Sequence, residues 1–149
     1  MNLLQLSKKI KNFFKLKFID KVLIIKVIFM SAIARFIMLV IPFKYIKNTL
    51  GYVKEESEYK PNKEEINYIR RINWAINTVC KNTPWESKCL VQAIIAQKLL
   101  VSKNIESTFY LGVGKKNKDM IAHAWVVCGD YYVSGWSNEK YGIVAKFRK

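Results

Sequence analysis

The spacing of apolar residues changes twice along the chain, and each change marks a different kind of structure. From Met1 to about Tyr52, leucine, isoleucine and phenylalanine are interspersed with lysine, and no proline occurs before Pro42. That pattern predicts helix. Between Val22 and Phe43 the apolar run is long enough in total to span a bilayer, but Lys26 and Arg35 divide it into stretches of 4, 8 and 8 residues. Each stretch is short of the roughly 18–20 residues that a spanning helix requires. The simpler expectation is a pair of helices packed on the rest of the chain or on a partner protein. The alternative is attachment to a membrane surface through basic amphipathic helices. A secretory signal fits poorly, because the basic region is long and the apolar stretch is interrupted.

Residues 55–62 (EESEYKPN) are polar and acidic and read as a linker, which divides the chain into a helical extension (1–54), the linker and a main domain (63–149). Asn62, with Glu65 three residues later, forms an N-cap pair, and Ile66, Ile69, Ile72, Ala75/Ile76 and Val79 then recur at helical spacing. Thr83-Pro84 stops that helix near Asn82. A second helix is predicted from about Ser87 to Ser102, with Leu90, Ala93, Ile94, Gln97 and Leu100 along one side and Cys89 in its first turn. After Asn104 the period drops to two. Ser107–Val113 and Ile121–Cys128 read as strands on either side of a solvated turn at Gly114–Asp119. Gly129-Asp130 turns tightly into Tyr131–Ser134, and Lys140–Phe147 alternates as a last strand. Helices followed by an antiparallel sheet place the chain in the α+β class.

Composition supports a folded core: 149 residues, of which 51% are hydrophobic, exclude a disordered chain. The net charge of +15 is unevenly spread. Up to Lys54 there are eleven basic residues and one acid, and from Glu55 onward fifteen and ten. These basic residues are interleaved with Ile, Leu and Phe, and neither a groove-reading helix motif nor an RNA-binding aromatic signature is present, so nucleic acid is not the expected partner. An acidic peptide, a partner protein or anionic lipid complements the charge better. Three cysteines form no disulfide framework.

One histidine and three cysteines leave few routes to catalysis. Cys89, at a helix start, would meet unpaired backbone N–H groups and the positive end of the helix dipole, which favour the thiolate. His123 lies on the strand Ile121–Cys128, where alternation sets His123, Trp125 and Val127 on one face and Cys128 on the other. A thiol at a helix start facing an imidazole on a sheet suits nucleophilic catalysis. By spacing alone, a small core thiol and a satisfied polar histidine are the commoner readings. Cys80, beside Val79 at the end of the first helix, reads as a structural thiol. Cys80-x8-Cys89 and His123-x4-Cys128 match no usual zinc spacing, so the reading calls for neither metal nor cofactor.

Three blocks decide between these readings. The segment TPWESKCLVQA (83–93), then YLGV (110–113), then AHAWV (122–126) closely resembles the transglutaminase-like leader peptidases of lasso peptide biosynthesis. The likeness runs from about Asn73 to Phe147. It implies a papain/transglutaminase-type α+β core in which Cys89 and His123 form the protease dyad. The family's aspartate, about twelve residues after the histidine, is replaced here by Gly135. Asp130 would lie at the hairpin turn, too far along the ladder to serve. Ser134, Ser137, Asn138 or a backbone carbonyl is the more economical orienting group. Trp85 and Gln92 belong to the matching block and are candidates to line the site, and Trp125, on the face of His123, is a candidate to shield it.

The resemblance implies a cytoplasmic cysteine peptidase that cuts the leader from a ribosomally made precursor peptide. The freed core would pass to an ATP-dependent macrolactam synthetase. The first fifty residues lack the strand pattern of the family's leader-binding element, so dependence on a separate leader-recognition protein is expected. Residues 1–54 are then a docking element for a partner or a membrane surface. Two rivals remain open: transglutaminase-type acyl transfer to an amine at the same thiol, and a non-catalytic scaffold that binds peptides or membrane surfaces.

Overall fold

The computed structural model describes residues 11–53, 55–85, 87–116 and 119–149. Its first long element, α1 (Phe18–Val40), ends where the residue before Pro42 is driven out of helical geometry, and Ile41 is extended at φ −106° and ψ 122°. A single turn, α2 (Phe43–Ile46), and a 3-10 turn at Lys47–Thr49 follow. Among the described residues the helical expectation up to Tyr52 holds for 11–15, 18–40 and 43–49 with breaks at Leu16–Lys17 and Ile41–Pro42, and it fails at its end; residues 1–10 lie outside the described ones. Gly51, at φ +122°, turns the chain into a two-residue strand, β1 (Tyr52–Val53). A Cβ at Gly51 would overlap the carbonyl of Arg148, the residue that pairs with Tyr52, so only glycine lets this edge strand join the sheet.

The next helix, α3 (Lys63–Cys80), begins at a complete capping box. Asn62 Oδ1 accepts from the N–H groups of Glu64 and Glu65 at 3.0 Å each, and the Glu65 carboxylate accepts from Asn62 N–H at 2.8 Å. It buries Ile69, Ile72, Ala75, Ile76 and Val79. The last helix, α4 (Cys89–Val101), reads as one-sided in sequence, yet it buries residues around its whole circumference, Gln97 included. The reason is tertiary: α1, α3 and β3 all pack on it.

Four further strands follow: β2 (Thr108–Lys116), β3 (Asp119–Cys128), β4 (Tyr131–Ser134) and β5 (Gly142–Arg148). The sheet order is β1-β5-β2-β3-β4, antiparallel throughout. The β2–β3 ladder runs on to Lys116 opposite Asp119, so most of the predicted turn at 114–119 is strand. Polar residues beside a hairpin's turn do not prevent backbone pairing. One core joins Val27 of α1, Ile72 of α3, Val91, Ile95 and Leu99 of α4, and Phe109 and Val126 of the sheet.

The acidic stretch between β1 and α3 is strapped across the basic strand β5. Glu55 pairs with Arg148 and Glu56 with Lys146, at 3.0 Å each. Ser57 N–H donates to Thr108 Oγ1 at 2.8 Å. The exposed ion pairs add little energy, whereas the backbone hydrogen bond fixes where the strap lies. Polar contacts also tie α1 to the rest. Arg71 Nε donates to Asp20 Oδ1 at 3.0 Å, and Trp85 Nε1–H donates to Ser31 Oγ at 3.1 Å.

Candidate active site

Cys89 is the first residue of α4. Its N-cap, Lys88, provides no side-chain cap, and no acid occupies the first turn. The first-turn N–H groups have no intrahelical partners, and among the described residues no side chain caps them, so the positive end of the helix dipole lies at Cys89. Gln92, one turn later, donates from Nε2 to Ser87 O at 2.8 Å, and its own N–H reaches Lys88 O at 3.2 Å. Together these bonds hold the loop before the cysteine against the helix it opens.

His123 lies on β3 beyond the last pair of the β3–β4 ladder. An irregularity between Val126 and Val127 shifts the register, so that Cys128 pairs with Tyr131 but Val126 with Ser134. Gly135, at φ +73°, then lies beside Ala124 and Trp125. Its carbonyl oxygen sits 2.6 Å from His123 Nε2. A carbonyl can only accept, so Nε2 carries the hydrogen and, in the neutral ring, Nδ1 is the basic nitrogen.

The plane of the imidazole is fixed by aromatic neighbours as well. Tyr141 stacks on His123 with ring centroids 4.7 Å apart, and Trp125 stacks at 5.9 Å. Tyr110 stacks in turn on Trp125 at 5.2 Å. Trp125 therefore packs its ring along the histidine. The alternation missed Tyr141, because it lies just before β5, two strands away in the sheet order.

An open cleft of about 670 Å³ brings Cys89, His123, Gln92 and Gly135 together. Its other walls include Arg70, Asn73 and Asn77 of α3, and Tyr131, Tyr132 and Trp136 around β4. Sequence reasoning missed the two asparagines. Asn73 Nδ2 donates to Val133 O at 3.1 Å, and Asn77 Nδ2 donates to Asn73 Oδ1 at 3.0 Å, which fastens α3 to β4 along the cleft. Their signal was the i, i+4 spacing of two amides on an amphipathic helix.

Other candidates lie elsewhere. Trp85 turns to α1 and bonds Ser31 instead of lining the cleft, because its indole N–H finds an acceptor there. Among the side chains considered for orienting the imidazole, Ser134 Oγ is buried without a hydrogen-bond partner and Ser137 Oγ accepts from Glu139 N–H at 3.2 Å. Asn138 sits in the bend before β5 and Asp130 in the β3–β4 turn. The backbone carbonyl of Gly135 takes the position instead. A Cβ at residue 135 would overlap the carbonyl of Ala124, so the family's aspartate does not fit this backbone.

The remaining thiols are set apart from the cleft. Burial pushes the Cys80 thiol above its ordinary range, with a hydrogen bond to Ser87 opposing the shift. Burial likewise raises Cys128, chiefly by desolvation, to about 11. Cys128 lies on the strand face opposite His123, as the alternation predicts.

Comparison with known proteins agrees with this architecture. No curated protein and no solved structure matches the chain. A family model described as the transglutaminase-like superfamily matches residues 37–145 and so takes in the end of α1, the acidic strap and the cleft. Spanning well over half of its residues, that match shows that the chain belongs to the transglutaminase-like superfamily.

Proposed function

We propose that the protein is a cysteine peptidase that removes the leader from a ribosomally made lasso precursor. Cys89 is the nucleophile and His123 the base and acid. The observation that carries the reading is the cleft itself. Of the three cysteines, only the one at a helix start is among its lining residues, and His123, whose Nε2 is engaged by Gly135 O, lines the same cleft. The PW-x3-CL-x-QA and HAWV blocks support the choice of a lasso precursor as substrate. A separate leader-recognition protein and an ATP-dependent macrolactam synthetase are the partners this role requires.

In the proposed reaction, Nδ1 of His123 takes the proton of Cys89 and the thiolate attacks the scissile carbonyl, forming a C–S bond. Negative charge gathers on the carbonyl oxygen, and first-turn N–H groups of α4 are the available donors. The imidazolium then protonates the leaving amine as the C–N bond breaks. Water, deprotonated by the same imidazole, cleaves the thioester and restores the thiol. The Gly135 carbonyl keeps the ring aligned throughout and favours the Nε2–H tautomer, but it carries no full charge with which to stabilise the imidazolium.

The test is cleavage of precursor by the full chain with its recognition protein, followed by mass spectrometry. Cys89→Ala is expected to lower cleavage by roughly a thousandfold or more, and undiminished cleavage by that variant would overturn the assignment. A product joined to an amine, in place of free leader and core, would instead establish acyl transfer at the same thiol.

A further inference from the structure

One face of α1 is unexplained by the fold. The helix buries Leu23, Ile24, Val27, Ser31 and Ala34 against α3 and α4. A second apolar row, Phe18, Val22, Ile25, Phe29, Ile33, Phe36 and Val40, lies exposed on the opposite side. Its spacing of 4, 3, 4, 4, 3 and 4 residues keeps it on one stripe along the whole helix, a length of about 33 Å at 1.5 Å per residue. Phe18 is 80% exposed and Phe36 67%. A continuous apolar stripe of that length is a binding surface rather than scattered exposure.

Charge selects the occupant. Lys15 and Lys17 stand exposed at one end of α1, Lys44 and Lys47 just past the other, and Lys26 beside the stripe. The chain up to Lys54 carries eleven basic residues and one acid, and that acid, Asp20, is already paired with Arg71. Two copies meeting through this stripe would set like charge against like charge. An anionic lipid surface accepts both features, since apolar side chains enter the acyl boundary while lysines reach the headgroups.

We infer that α1 docks the protein on an anionic membrane, lying in the plane of the interface. By length and hydropathy the helix could cross a bilayer. Its inner face forms part of the core, however, so crossing would require pulling Val27 and its neighbours out of the fold. An apolar groove of about 620 Å³ between α1 and α4 continues the surface past Ile33 to Ile41 and Tyr45. This inference is independent of the proposed peptidase activity.

The test is sedimentation of the full chain with phosphatidylcholine vesicles, with and without phosphatidylglycerol. Binding is expected only with the anionic lipid and should fall as salt is raised. Phe29→Glu with Phe36→Glu should weaken it about tenfold or more, with an unchanged circular dichroism spectrum because both side chains are exposed. Lys17→Glu with Lys26→Glu, which leaves the apolar stripe intact, should also weaken it. Failure to sediment, equal binding to both lipids, or unaltered binding by either double variant would overturn the inference. So would a lipid-free dimer that Phe29→Glu dissociates, because the stripe would then be covered by a second copy.

Discussion

α1 and α3 pack on the same core with similar inner faces, each burying a row of apolar residues, and they differ in what they turn outward. α3 presents Arg70, Asn73 and Asn77, which wall the cleft and fasten it to β4. α1 presents a second apolar row. The amphipathic helix therefore builds a site where polar groups must be held in place, whereas the doubly apolar helix adds a surface without changing the cleft. Burial alone does not assign a role to a helix. The chemistry of the face left over does.

Substitutions on the two sides should separate activity from stability. After loss of the nucleophile itself, the largest effect is expected at Gly135. Aspartate there, the residue the family resemblance would supply, should lower turnover by roughly a hundredfold or more, because its Cβ overlaps Ala124 and displaces the carbonyl that holds His123. Turnover equal to or above that of the parent protein would show that a carboxylate triad can form after all. On the α1 side, Val27→Ala should cost about 2 kcal/mol in denaturant unfolding, since Val27 is fully buried. Phe29→Ala, two residues on, should stay within about 0.5 kcal/mol. Equal costs would erase the distinction between the two faces.

Smaller effects probe the links between the sides. Ser31→Ala leaves Trp85 Nε1–H without its acceptor and should cost about 1 kcal/mol, with cleavage kinetics per folded molecule unchanged. A pH-dependent effect concerns Cys128, whose thiol burial raises from the ordinary 9.0 to about 11. A group whose folded value lies above its unfolded one contributes its full stabilisation below about pH 9 and loses it as pH rises through about 11. Thermal scans of Cys128→Ala should therefore fall less steeply over that range than those of the parent protein. At neutral pH, iodoacetamide should alkylate Cys89 ahead of Cys80 and Cys128, the two thiols raised by burial, as loss of reactivity in the Cys89→Ala variant would verify.

What could be read in advance was local. The Asn62/Glu65 cap and the apolar period determined α3, Thr83-Pro84 ended it, and these constraints placed Cys89 at a helix start. Alternation along β3 separated His123 from Cys128, because side-chain direction in a strand follows from the backbone itself. Contacts between distant segments were decided only by the tertiary structure. The irregularity in the β3–β4 ladder brings the Gly135 carbonyl to His123, and no side-chain pattern announces which backbone oxygen a fold will place there. Tyr141 reaches the imidazole through the strand order, and Trp85 leaves the cleft for Ser31 because α1 happens to cover that side. Both faces of α1 carry an apolar row in sequence. Only the packing of α3 and α4 against one of them determined which would be core and which would be surface.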